Sequence, residues 1–165
     1  MEARGIVART PYELGDWFAL PTDDKWIVGR VARMDGHNTI YAYFFPPLRD
    51  DPPEAASLAS QSAGDAFTQA RFSDLGIRRG EWRLLGHTDE FDAAQWPMVE
   101  FERLLEPSGM EPRLFAIRWS DEDPNVETES RRVDIAEAGS RPRSGLHGAK
   151  AVVIAVRKRL DALTA

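Results

Sequence analysis

The sequence predicts an α+β fold: a mostly antiparallel twisted sheet, an SH3-like barrel-type meander, with a C-terminal helix packed on it. Three observations predict it. Residues 15–45 hold three successive runs of strand-forming residues separated by turn residues, and residues 112–120 alternate as a strand does. Only the C-terminus carries an apolar stripe of helical period, at Ala149, Val152, Val153, Val156, Leu160 and Leu163.

The elements follow in order. Residues 1–14 lead irregularly, through Pro11, into a first strand at 16–20, closed by the turn Pro21-Thr22-Asp23-Asp24. The second strand, 25–34, is rich in Trp, Ile and Val. Asp35-Gly36 signals a hairpin into the third strand, 39–45, because Gly supplies positive φ without strain. In that strand Ile40, Ala42 and Phe44 point one way and Tyr41, Tyr43 and Phe45 the other, so both faces are apolar and both are covered. Pro46-Pro47 and Pro52-Pro53 argue against regular structure and open a Pro-rich loop insertion at about 46–64. Strands are expected at 65–72 and 81–86, an irregular apolar stretch at 99–105, a strand at 112–120 with Phe115, Ile117 and Trp119 on one face, and a polar loop at 121–132. Phe18, Val28, Val31, Phe44, Leu84, Phe115, Ile117, Val152 and Val156 are expected in one core. All of this fits a single domain over residues 1–165.

Composition excludes more than it assigns. An apolar fraction of 42% and a charged fraction of 29% are those of ordinary globular chains. There is no cysteine, hence no disulfide and no thiolate chemistry. The apolar run 151–156 is too short to cross a bilayer, and the opening MEARGIVARTPYE has no signal-peptide core, so a cytoplasmic protein is expected. Net charge is −6, unevenly spread: residues 89–137 carry 14 Asp/Glu against 5 Arg, residues 138–165 carry 6 Lys/Arg against 1 Asp. The acidic block disfavours nucleic acid and suits a basic partner, or else is a solvated surface.

No motif announces catalysis. His37, His87 and His147 are scattered, with no second ligand at metal spacing, and phosphate-binding glycine patterns, nucleophile elbows and zinc-protease motifs are absent. Neither a metal, a cofactor nor an enzyme is expected. The basic loop 141–148 enters the helix and is read as solvated or as an anion site. Asp16 reads as a turn or bulge acid. Trp17, Trp26, Tyr41 and Tyr43 are either core or an aromatic cage for a cationic ligand, which would make the chain a ligand- or peptide-binding barrel module. The best binding candidates are Asp121, Glu122, Asp123, Glu127 and Glu129, five carboxylates in one polar loop after the strand at 112–120. Mutual repulsion there would be relieved by a basic partner.

Three stretches resemble one family. Gly15-Asp16-Trp17-Phe18-Ala19-Leu20-Pro21 with Trp26-Ile27-Val28-Gly29-Arg30-Val31 resembles the opening of immunity protein 26, a family of bacterial polymorphic-toxin systems. Gly80-Glu81-Trp82-Arg83-Leu84-Leu85-Gly86-His87 is similar to its central motif, and Gly145-Leu146-His147-Gly148 before Ala151-Val152 to its C-terminal one. The resemblance implies a cytosolic protein that neutralises a cognate protein toxin by stoichiometric blocking, without catalysis or cofactor. Charge and loop position, rather than the resemblance, make the acidic loop 121–129 the part expected to face a toxin with a basic surface.

Overall fold

The computed structural model describes residues 10–165; the lead-in reading of residues 1–9 lies outside them. Eight strands form two antiparallel sheets. The first sheet contains β1 (Trp17–Thr22), β2 (Lys25–Met34), β3 (Thr39–Arg49), β4 (Thr68–Ser73) and β5 (Arg83–Gly86), in the order β4-β3-β2-β1-β5. The second contains β6 (Phe101–Leu105), β7 (Arg113–Trp119) and β8 (Glu127–Val133), in that order. The α-helices among the described residues are a single turn, α1 (Leu75–Arg78), and the C-terminal α2 (Ala149–Thr164). The α+β class and the meander are as expected, but the first sheet is open, with β4 and β5 as its edges, and no barrel closes.

Strand β3 explains the layering. Residues 39–45 are all buried, and alternation splits them between two apolar clusters. Ile40, Ala42 and Phe44 join Phe18, Leu20, Ile27, Val31 and Phe72 under Val152 and Val156 of α2. Tyr41, Tyr43 and Phe45 join Trp17, Val28 and Trp96 against Phe101 and Ile117 of the second sheet. The order is therefore helix, sheet, sheet. Eight of the nine residues expected in one core divide between these clusters, because a sheet apolar on both faces must be covered twice, and Leu84 belongs to neither. Phe115 lies only at the margin of the second cluster, and Leu84 is 37% exposed on an edge strand.

Three boundaries differ from the sequence reading. Strand β3 continues through Pro46 and Pro47 to Arg49, on residues that no longer need a full ladder: only Arg49 is still paired, with Trp26. The irregular stretch before Pro107 contains β6, whose buried Phe101 pairs with Ile117. The polar loop ends early. Residues 127–133 form β8, exposed almost throughout yet registered on β7 by Leu114↔Val133 and Ile117↔Ser130.

A strap at 142–147 joins the two sheets. Glu102 N donates to Pro142 O (2.8 Å) and Ser144 N to Glu102 O (2.9 Å), on the edge of β6. His147 N then donates to Arg71 O (3.0 Å), and His147 O accepts from Ser73 N (2.9 Å), on the edge of β4. The buried Glu102 carboxylate accepts from the backbone N–H of Gly139 and Arg141, which fixes the start of the strap. Arg71, buried, donates to Pro124 O and Ser144 O and lies over the Trp119 ring. Desolvation, then the nearby Arg103, lowers its guanidinium to about 10. Gly148 caps α2, with no side-chain bond at the cap, and the helix begins at Ala149.

Candidate functional site

Two places combine polar chemistry with fixed geometry. The first is built from the motifs themselves. Arg30 of β2 is 4% exposed, and its guanidinium sits over the rings of Trp17 (4.9 Å), Trp96 (4.8 Å) and Phe91 (5.2 Å). Its Nε donates to Gly15 O and its Nη2 to Asp89 Oδ1, both at 3.0 Å. Beside it Asp16 Oδ1 meets His87 Nδ1 at 2.8 Å, and Trp17 Nε1 donates to Thr88 Oγ1 at 3.1 Å. Asp89 accepts from Thr88 Oγ1 and then from Arg30, and both hold its carboxyl below the usual range.

The glycines of these motifs serve close approach. A Cβ on Gly15, at φ +88°, would lie 2.6 Å from Phe91, and one on Gly29 would lie 2.5 Å from the Phe18 ring. The three stretches 15–21, 26–31 and 80–87 thus converge on one polar box around a buried cation. Asp16 acts as a turn acid: besides His87 it accepts from Glu13 N. The box is filled by the protein's own arginine. Of the two readings for the aromatic residues, core holds for three and the four-residue cage is not formed: Trp17, Tyr41 and Tyr43 are buried and both tyrosine hydroxyls donate to Pro97 O, while Trp26 belongs to neither cluster.

The second place is the turn between β7 and β8 with the strand that follows. It docks on the tip of the β2–β3 hairpin: Asp121 Oδ1 accepts from Arg33 Nη2 (3.0 Å), and Asn125 Nδ2 donates to Asp35 Oδ2 (2.8 Å). Partial burial raises the Asp35 carboxyl, but the N–H groups of Thr39, His37 and Asn38 with the Asn125 amide outweigh it and hold it low. Among the five expected carboxylates, Glu127 pairs with Arg103 (3.4 Å) and Glu129 with Arg118 (3.5 Å) on β8. Asp123 Oδ1 accepts from Asn125 N within the turn. Glu122 is exposed and pairs with no described residue.

The expected picture of five unrelieved, mutually repelling carboxylates is therefore corrected. Asp121, Glu127 and Glu129 each have an arginine: Asp121 meets Arg33 of β2, while Glu127 and Glu129 on β8 face Arg103 of β6 and Arg118 of β7. The structure brings Asp121, Glu122 and Asp123 together in one turn and sets Glu127 and Glu129 along an edge strand. Sequence reading missed the Arg30 box. The signal was there, since Gly-Asp-Trp, Gly-Arg-Val and Gly-His each pair a glycine with a polar or aromatic residue, but only the sheet order makes them neighbours.

Among the described residues no His, Cys, Asp or Glu cluster could hold a metal, and no helix is long and apolar enough to cross a membrane. No curated protein and no solved structure matches the chain. A family described as immunity protein 26 matches residues 13–108, which span β1 to β6 and the whole Arg30 box, while the strap and its Gly145-Leu146-His147-Gly148 lie beyond the match. The chain belongs to the immunity protein 26 family.

Proposed function

We propose that this protein neutralises a cognate bacterial toxin by stoichiometric binding, in the cytoplasm of the cell that makes it, and performs no turnover. Membership in an immunity family over residues 13–108 carries the reading. The geometry supports it in one respect: the motif residues are spent on a filled structural box, so function is left to exposed surface.

We further propose that the surface meeting the toxin is the turn Asp121, Glu122 and Asp123 with Glu127 and Glu129 of β8. The turn is mounted on a rigid hairpin, and its carboxylates would steer a basic toxin toward contact. The test uses the toxin encoded beside this gene: co-expression rescues cells, and the purified proteins form a 1:1 complex with no product released. Glu122→Lys is the clean probe of the surface, because Asp121 neutralises the buried Arg33 and cannot be reversed without cost to the fold. Glu122→Lys is expected to slow association and flatten its salt dependence at unchanged thermal stability. Unchanged association kinetics reject this surface. A toxin that stays active beside a folded, saturating excess of the protein rejects neutralisation.

A further inference from the structure

The edge of the first sheet at β4 is covered only in part. Arg71 O and Ser73 N point outward and are taken by His147 of the strap. Alternation along an antiparallel ladder puts the N–H and C=O of Gln69 and the N–H of Arg71 on the same outer edge. No other backbone group among the described residues bonds to them. This open half-edge borders a groove of about 550 Å³ between β4, α2 and the strap. Arg141, Arg143, Lys158 and Arg159 line it, with Ile154 as its apolar side, and no carboxylate does. Ile154 is 69% exposed. Arg141 is engaged by Glu137 and Arg159 by Gly139 O, whereas no described carboxylate pairs with Arg143 or Lys158.

We propose that this groove binds an extended acidic peptide segment of a partner protein, by strand addition to β4. The open half-edge supplies two main-chain donors, Gln69 N–H and Arg71 N–H, and the Gln69 carbonyl, which holds only a long 3.5 Å bond from Thr68 Oγ1, in a register that an extended segment satisfies and a helix does not. Charge fixes the chemistry of the segment, since four cations and no anion face it. Spacing refines it. Ile154 and Lys158 are one helical turn apart, about 6 Å, close to the roughly 6.5–7 Å between alternate residues of a strand. A segment with an apolar residue at one position and Glu or Asp two residues later places them on Ile154 and Lys158 together. The groove is separate from the acidic turn, and this inference stands whether or not that turn meets a toxin.

The probe is a fluorescent octapeptide of alternating Thr with Val and Glu, titrated by anisotropy into the full chain at low and moderate salt. Binding is expected, with no binding of the same peptide carrying Lys for Glu. Arg143→Glu with Lys158→Glu is expected to weaken it by at least about tenfold. Gln69→Pro removes an edge donor and is expected to weaken it similarly, at unchanged circular dichroism. Should that variant misfold, N-methylation of alternate peptide amides on the wild-type protein makes the same test from the ligand side. Full binding of the N-methylated peptide overturns strand addition. Equal binding of a single-stranded oligonucleotide shows a general anion patch and overturns the peptide assignment, as does failure of the acidic peptide to bind at low salt.

Discussion

Replacing Arg30 by Met is the sharpest test of how the motifs build the fold, because the side-chain volume is nearly kept while the guanidinium is lost. The buried Gly15 carbonyl then loses a charged donor, which costs about 1.5–3 kcal/mol. Three aromatic rings lose the cation they enclose, worth about 1–2 kcal/mol in a desolvated setting. Arg30→Met is therefore expected to destabilise by about 2.5–5 kcal/mol. Asp89, whose side chain is 61% exposed, contributes through a solvent-screened pair, so Asp89→Asn is expected to cost less than about 1 kcal/mol. Arg30→Lys keeps the charge but loses the planar stack and the Nε bond, and falls between the two. Equilibrium urea unfolding, followed by circular dichroism and by tryptophan fluorescence near Trp17 and Trp96, measures all three at constant m. A loss below about 1 kcal/mol for Arg30→Met, or one equal to that of Asp89→Asn, refutes the buried box as a source of stability.

Gly29→Ala is expected to cost about 1–3 kcal/mol by overpacking against Phe18, and Phe18→Leu in the same chain to recover part of it; a double-mutant cycle on urea midpoints checks the coupling. Phe101→Ala, at a fully buried position, is expected to cost about 3–5 kcal/mol, and Phe115→Ala clearly less because its ring is half-buried; thermal unfolding ranks them. His147 gives a pH dependence of known sign. Burial, then Arg71, holds its imidazole below the ordinary 6.5, so the unfolded chain takes the proton first. This contribution to stability is present above about pH 6.5 and is lost as pH falls toward the folded value, and His147→Gln is expected to remove that part of the slope in urea midpoints between pH 5 and 8.

What could be read in the sequence was whatever is local. The strand at 25–34, the two apolar faces of β3 and the helical stripe of α2 depend on periodicity alone, and each is where the pattern places it except Leu163, which ends the stripe 54% exposed. What could not be read depends on partners distant in the chain. The exposed run 127–133 has no apolar alternation to mark it as a strand, and is one only because β7 offers a ladder. Leu84 has a core composition and an edge position, which sheet order alone decides. The candidate turn at 121–123 was legible as charge, but the cation that answers Asp121 is Arg33, far back in the chain, and no local pattern records that.

The family match and the charged surfaces divide the chain at nearly the same place. Residues 13–108 supply the whole five-stranded sheet, both sides of the Arg30 box and most of the two apolar clusters, where a changed side chain costs several kcal/mol. The acidic turn, β8, the strap and α2 all follow residue 108. Charges there sit in solvent-screened pairs such as Glu127 with Arg103 and Arg157 with Asp161, each worth about 0–1 kcal/mol. A surface of that kind can exchange one charge pattern for another and leave the scaffold intact, provided the few anchored groups are kept: Arg71 across the strap, Glu102 on its backbone donors, Asp121 on Arg33. Recognition of a particular partner is therefore best sought in residues 109–165, and substitutions at Glu122, Arg143 or Lys158 should alter binding at nearly constant unfolding temperature, which thermal scans of the three variants check directly.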